Sequence, residues 1–376
     1  MFGGVRVERI GFGLIGLGRQ SDLVHARALR RSGVARIAAV CDADAELVAL
    51  RSRQYAGGDG PVPGYTRYAD LLERADVQAV VIATPNVLHP EIAEAAAAAG
   101  KHILCEKPLA LSTEDALRML EAARRHDVRH MTAFTYRFVP AMRYLRHLVS
   151  TGGLGTVRMV RSRRLMDWPD ADLGWRQVRS LAGSGELGDM ASHRFDHAQA
   201  MLGPIVRVQG LTRCFVPERR ASDGGVRPAD VEDWAACLAE FAGGATGVFE
   251  SSKLCRGYGR GDEGVDDFEV NGDGGSAFFR LGTPLQLSVG RPGGTMETVP
   301  VPEAFSASVA AGLATVAADD PGAAFRDNQM YAFIDAIRSG RDCSPNFLDG
   351  ARVMAVIEAV QRSAAGGRAV DVVQVG

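Results

Sequence analysis

The strongest constraint on this chain lies in residues 9–21. An apolar run over 9–15 enters Gly16-Leu17-Gly18-Arg19-Gln20-Ser21, and Leu23, Val24, Ala26, Ala28 and Leu29 follow at helical spacing. A strand that turns at once into a helix through two glycines reads as the opening of a βαβ unit. The first glycine makes the turn, and the second lets another group approach the backbone. The alternation then repeats. Ile37 to Cys41 reads as a strand closing on Asp42, and Asp44 to Arg53 as a helix; Ala79 to Ala83 is a further strand. The Ala-rich stretch from Glu91 to Ala99 has high helix propensity and stops at Gly100. Ser112-Thr113-Glu114-Asp115 resembles a capping box ahead of another helix, and His130 to Ala133 supplies a strand. This order predicts an α/β fold with a doubly wound parallel sheet.

The second part changes character. Gly152 to Gly155 marks a turn. Val157 to Leu165, Val206 to Leu211, Trp234 to Phe241, Thr246 to Ser252, Phe268 to Asn271 and Ala277 to Leu281 read as strands. Polar loops interrupt them at 217–232 and 256–267. The pattern predicts an α+β domain on a large, mostly antiparallel open sheet. Two amphipathic helices end the chain, one marked by Met330, Phe333, Ile334 and Ile337, the other by Val353, Val356, Ile357 and Val360. The expected division is a nucleotide-binding domain over 1–135 and a substrate and oligomerisation domain over 136–376. The helices at about 325–365 are free to pack back onto the first.

Charge narrows the partners. Across 376 residues the net charge is -2 with both signs interspersed, which leaves no footprint for nucleic acid or an anionic membrane. No run of apolar residues is long enough to span a bilayer. The N-terminus lacks a secretory pattern, and the six scattered cysteines lack C-x-x-C spacing, so free thiols in a cytoplasmic setting are expected.

The glycine turn departs from the full G-x-G-x-x-G fingerprint at Ser21, a position that serves helix–strand packing and tolerates a small residue. With Asp42 ending the second strand, the context predicts a dinucleotide whose pyrophosphate rests at the helix N-terminus, among Gly16, Gly18, Arg19 and Gln20. Asp42 would accept hydrogen bonds from ribose hydroxyls and repel a 2′-phosphate, which favours NAD over NADP. It would equally serve as a cap for the helix near Asp44.

Two polar segments remain. In His102-Ile103-Leu104-Cys105-Glu106-Lys107-Pro108 a lysine stands at a strand's carboxyl end, where open α/β sheets place their chemistry, and Pro108 restricts its backbone. In Gly183-Ser184-Gly185-Glu186-Leu187-Gly188-Asp189 and onward, Asp189 and His193 are four apart, so a helix would set them on one face. An acid–base pair, a structural Asp–His pair, and a metal site with His197 all fit that spacing; the nicotinamide reading makes a metal superfluous, and none is expected. Oxidation of a secondary alcohol leaves a hydroxyl proton, which a lysine and a histidine converging on a nicotinamide can accept.

Together these segments resemble the Gfo/Idh/MocA family (glucose-fructose oxidoreductase, inositol dehydrogenase, rhizopine catabolism). The resemblance runs through Ala83-Thr84-Pro85-Asn86 with His89, Glu106-Lys107-Pro108-Leu109-Ala110, Tyr136-Arg137-Phe138, the Asp189 and His193 segment, and Ala336-Ile337-Arg338-Ser339-Gly340. It implies an NAD-dependent oxidoreductase acting on a sugar, glycoside or cyclitol, with Lys107, Asp189 and His193 as catalytic residues. It further implies that Thr84, Asn86, His89 and Glu106 line the nicotinamide and its ribose, and that the protein is a homodimer or homotetramer. Tyr136 is an expected substrate contact, falling where inositol dehydrogenases tend to carry a substrate-contacting basic side chain, and that departure argues against a plain inositol dehydrogenase. Trp168, Trp175 and Arg176 precede the glycine-rich segment and are the expected substrate contacts, since an aromatic face suits a pyranose or cyclitol ring. A non-sugar substrate such as a dihydrodiol, or a non-catalytic NAD- or sugar-sensing role, are the competing readings.

Overall fold

A computed structural model describes residues 9–57, 60–168, 172–259, 264–310, 313 and 321–376. Residues 1–8 and the 260–263 part of the second polar loop lie outside them. The first sheet contains β1 (Ile10–Ile15), β2 (Ala35–Cys41), β3 (Gly64–Tyr65), β4 (Ala79–Ile82), β5 (His102–Cys105) and β6 (His130–Thr132). All pair in parallel, in the order β3-β2-β1-β4-β5-β6. The strand order reverses between β1 and β4, which opens a crevice at the carboxyl ends of those strands. Ala79 to Ile82 and Ile103 to Cys105 are fully buried, as strands covered on both faces must be.

The second sheet is built from β7 (Val157–Leu165), β8 (Ile205–Arg213), β11 (Trp234–Phe241), β12 (Thr246–Ser252), β13 (Val265–Gly272), β14 (Ser276–Arg280), β15 (Gln286–Gly290), β16 (Glu297–Pro300) and β17 (Val370–Asp371). Its order is β16-β15-β14-β13-β7-β12-β11-β8-β17, antiparallel except where β7 meets β12. The 217–232 loop folds into a small hairpin of β9 (Glu218–Arg220) and β10 (Val226–Pro228) rather than staying irregular. The strands over 286–290, 297–300 and 370–371 were not expected; they are short and carry no clean alternation.

The C-terminal helix Phe347–Gly366 lies between the two sheets. It packs against the helix Thr113–Arg125 on one side and β8 on the other. A Cβ on Gly210 of β8 would stand 2.6 Å from Val360 Cγ1, so glycine is what permits that approach. Glu358 accepts hydrogen bonds from the Thr113 N–H and hydroxyl, both at 2.7 Å, and Ser112 caps the same helix through the Asp115 N–H. Helix Pro321–Ser339 packs on the helix Arg27–Ser32 of the first sheet.

Arg137 fastens the junction. Its guanidinium reaches Asp196 of the helix Ser192–Leu202 through two bonds of 2.5 and 2.7 Å, and Asp349 at 3.0 Å. Breaking such a buried pair from one side leaves a charge without a partner, which costs about 3–5 kcal/mol. Arg137→Ala is therefore expected to lose about that much stability in urea unfolding, and a loss below about 1 kcal/mol would contradict the account.

Candidate active site

The glycine turn lies at the crevice. Gly16 has φ +88°, and a Cβ there would sit 2.6 Å from the Ala83 carbonyl carbon, so only glycine fits between β1 and the end of β4. Around Gly18 a Cβ would meet nothing within 4 Å. Gly16, Gly18, Asp42, Leu47, Tyr68 and Thr84 contribute to the wall of a cavity of about 520 Å³. Arg19 is exposed and Gln20 half-buried where the chain begins its first helical turn, which is a wide π turn over Ser21–Ala26. The Asp42 carboxylate accepts from Leu17 N–H at 2.8 Å and Asp44 N–H at 3.1 Å, so it braces the turn it faces. The cap of the following helix is Asp44 itself. Thr84 Oγ1 is buried at the cavity and has no hydrogen-bond partner among the described residues. Open space over Gly18 and an unspent hydroxyl fit a dinucleotide laid along this edge.

The end of β5 is pinned from several sides. Glu106 is buried and accepts from Lys107 N–H; His25 Nε2 lies 2.8 Å from its other oxygen. Burial alone would push this carboxyl up, but the His25 bond and the charges of His25 and Lys107 outweigh it and hold Glu106 below its usual range. The Lys107–Pro108 peptide is cis. His89 is fully buried with Nδ1 3.1 Å from the Pro108 carbonyl and Nε2 3.1 Å from the Thr84 carbonyl. Asn86 donates to the Ala182 carbonyl at 3.0 Å. Both side chains spend hydrogen-bonding groups on backbone carbonyls, His89 on those flanking the ends of β4 and β5 and Asn86 on the end of the short helix Arg179–Ala182.

Opposite, Lys107 Nζ lies 2.9 Å from Asp189 Oδ1 and 2.5 Å from the Asp189 carbonyl. The second oxygen of Asp189 faces Lys253 Nζ at 3.1 Å, and Lys253 in turn pairs with Glu186 at 2.9 Å. Burial would raise the Asp189 carboxyl, yet Lys107, Lys253 and Arg176 hold it well below the usual range. Lys253 is buried, which lowers an amine, but Glu186 and Asp189 shift it upward overall.

The expected Asp189–His193 hydrogen bond does not form. Residues Leu187–Ala191 make a π turn before the helix Ser192–Leu202, so a spacing of four no longer brings Asp189 over His193. His193 Nδ1 is instead buried without a partner, and the ring stacks on Tyr136 at 4.4 Å. Burial, together with Lys107, Arg194 and His197, holds His193 well below its ordinary value and thus neutral. His197 shares the Tyr136 face at 6.0 Å, and among the described residues no group of three or more metal-ligating side chains is placed to hold an ion.

The remaining expected contacts are dispersed. Trp175 stands on the wall of the glycine cavity, with the Arg176 guanidinium 4.2 Å above its ring. Trp168 is half-buried at the end of β7, its N–H bonded to the Lys253 carbonyl at 2.7 Å. Tyr136 is covered by His193 on one side and lies under Arg194, which pairs with buried Asp266.

This geometry agrees with what the chain is similar to. Residues 10–134 match a model described as "Oxidoreductase family, NAD-binding Rossmann fold", and residues 142–278 match "GFO/IDH/MocA C-terminal domain". Levoglucosan dehydrogenase of Pseudarthrobacter phenanthrenivorans is 32% identical over 89% of both chains. The chain belongs to the GFO/IDH/MocA oxidoreductase family. Inositol 2-dehydrogenase of Rhizobium meliloti, another similar protein, is 28% identical over 96% of this chain and 98% of that one. A solved levoglucosan dehydrogenase in complex with NADH and L-sorbose superposes with a TM-score of 0.89 at 31% identity, covering 98% of this chain and all of the other. As a GFO/IDH/MocA protein the chain is an oxidoreductase, and its first sheet is an NAD-binding Rossmann fold.

Four residues of the site escape sequence reading. His25 is a lone histidine on a helix, and Lys253 follows a strand whose register is unknowable without its neighbours. Glu186 and Asp266 likewise show their role only once their partners are placed. The turn makes one separable prediction. Gly18→Ala meets no protein atom and is expected to leave the melting temperature nearly unchanged. It should weaken NADH at least about tenfold by fluorescence titration, since the backbone approach is blocked. Unaltered NADH affinity would contradict the placement.

Proposed function

We propose that this chain is an NAD-dependent dehydrogenase that oxidises a ring secondary alcohol of a sugar, glycoside or cyclitol, or reduces the matching ketone. The observation that carries the reading is the Lys107 ion pair with Asp189 at the end of β5, on the same carboxyl edge of the sheet as the glycine turn that follows β1. Bound NAD supplies the hydride acceptor. Gly16 and Gly18 would admit its pyrophosphate, Asp42 the adenosine ribose, and Thr84 the nicotinamide side.

In this reading the neutral amine form of Lys107 Nζ takes the substrate hydroxyl's proton in the oxidative direction, and the ammonium so formed returns it in reduction. Asp189 keeps the amine aimed through two contacts, one of them to its own backbone carbonyl. His193 is neutral in these surroundings and offers an uncharged hydrogen-bonding ring beside the same lysine. Glu106 and His25 hold the strand end rather than touching substrate. An acid–base set of this kind is more than a nucleotide sensor needs. The relatives named for levoglucosan and inositol support a ring polyol as substrate. A homodimer or homotetramer is consistent with the open face of the second sheet, which leaves Leu211, Leu238 and Val248 exposed.

Protein mixed with NAD and a panel of hexoses, anhydrosugars and inositols is expected to generate NADH absorbance with at least one neutral ring polyol. NADH binding without turnover on any of them would overturn the reading. Asp42→Ala should lower the preference for NAD over NADP about tenfold or more, because one repelling charge near the 2′-phosphate is gone. An unaltered preference would remove Asp42 from cofactor selection.

A further inference from the structure

Lys253 has no place in the reaction as described, yet its ammonium is largely covered, with 11% of the side chain exposed, and touches the carboxylate that holds Lys107. We infer that Lys253 is a positioning residue: by occupying the second oxygen of Asp189, it sets how firmly Lys107 holds its proton. The inference rests on the proposed acid–base role of Lys107.

Lys107, Asp189, Lys253 and Glu186 form a chain of alternating charge, with contacts of 2.9, 3.1 and 2.9 Å. Ser251 of β12 donates to the far oxygen of Glu186 at 2.6 Å, which fixes the end of the chain. An Asp189 facing Lys107 alone would bring its full charge to bear on the lysine and keep the proton there. A lysine locked in that form cannot accept a proton from substrate. Lys253 divides the carboxylate's charge, and Glu186 in turn draws part of the Lys253 charge away from Asp189.

The other charges around the chain come from separate elements. Glu106 stands beside Lys107 at the end of β5, with His25 behind it. Arg176 acts on Asp189 from the segment after β7, and His193 and Arg194 stand on the helix that follows Asp189. Glu232 spends one oxygen on the Gly185 and Leu187 N–H groups, holding the turn that carries Glu186. None of these groups makes a hydrogen bond or ion pair to the second oxygen of Asp189. Lys253 therefore controls that oxygen.

The test uses variants of opposite sign. Lys253→Met removes a cation and should move the rising limb of the kcat–pH profile upward by at least about one unit. Glu186→Gln removes an anion and should move it downward. The double variant deletes one charge of each sign and should return the limb toward wild type, and Lys253→Arg should retain it. A second readout needs no turnover: the pH dependence of Lys107 acetylation by a competitive label, followed by peptide mass spectrometry with NADH bound. Shifts of opposite sign in Lys107 labelling support the inference. Losses of activity with the limb and the labelling unmoved, or shifts of the same sign in the two single variants, overturn it. Failure to find any oxidisable sugar would sink the proposed function while leaving the labelling result readable. If Lys253→Met does not fold, Glu186→Gln and Lys253→Arg still decide: a downward shift in the first with the limb retained in the second supports the inference, and an unmoved or upward limb in Glu186→Gln overturns it.

Discussion

The site depends on one carboxylate. Asp189 lies in the second half of the chain, and Lys107 ends a strand of the first sheet, so their ion pair joins the two sheets at the place where chemistry is expected. A buried carboxylate is costly unless its oxygens are matched, and here each faces an ammonium. The same arrangement keeps His193 neutral, because the neighbouring cations and burial both oppose a further positive charge. Much of what surrounds the site can be understood as holding that carboxylate and that lysine in register.

The holding is divided among elements far apart in sequence. Glu106 and His25 secure the strand end from the side of the first helical turn, while His89 secures it from the backbone carbonyls of Thr84 and Pro108. Asn86 ties the same edge to Ala182, close to the segment that carries Asp189. Arg137 and the helix Phe347–Gly366 close the other side. Through these contacts several polar residues of the family pattern spend hydrogen-bonding capacity on the frame.

Four of the six strands of the first sheet, β1, β2, β4 and β5, were legible because each ends near a residue with a distinct duty: Gly16, Asp42, Thr84, and Glu106 with Lys107. Periodicity and turn chemistry name such positions one at a time. Interactions between elements were not legible. The π turn over Leu187–Ala191 displaced Asp189 from His193, and no local pattern announces a single extra residue in a helical turn. Lys253 and Glu186 stand 67 residues apart and meet only because β12 runs alongside the glycine-rich segment. The expected substrate aromatics illustrate the same limit. Trp175 reached the glycine cavity while Trp168 lies at the end of β7, though the two are close in sequence.

The central claim is that Lys107 moves the proton of the alcohol being oxidised. The most direct measurement is turnover by Lys107→Ala with and without small primary amines in solution, alongside NADH affinity. The account predicts nearly unchanged NADH affinity, a loss of turnover of about a hundredfold or more, and partial recovery as amine is added. Turnover close to wild type in Lys107→Ala, with the same sugar and no added amine, would contradict it.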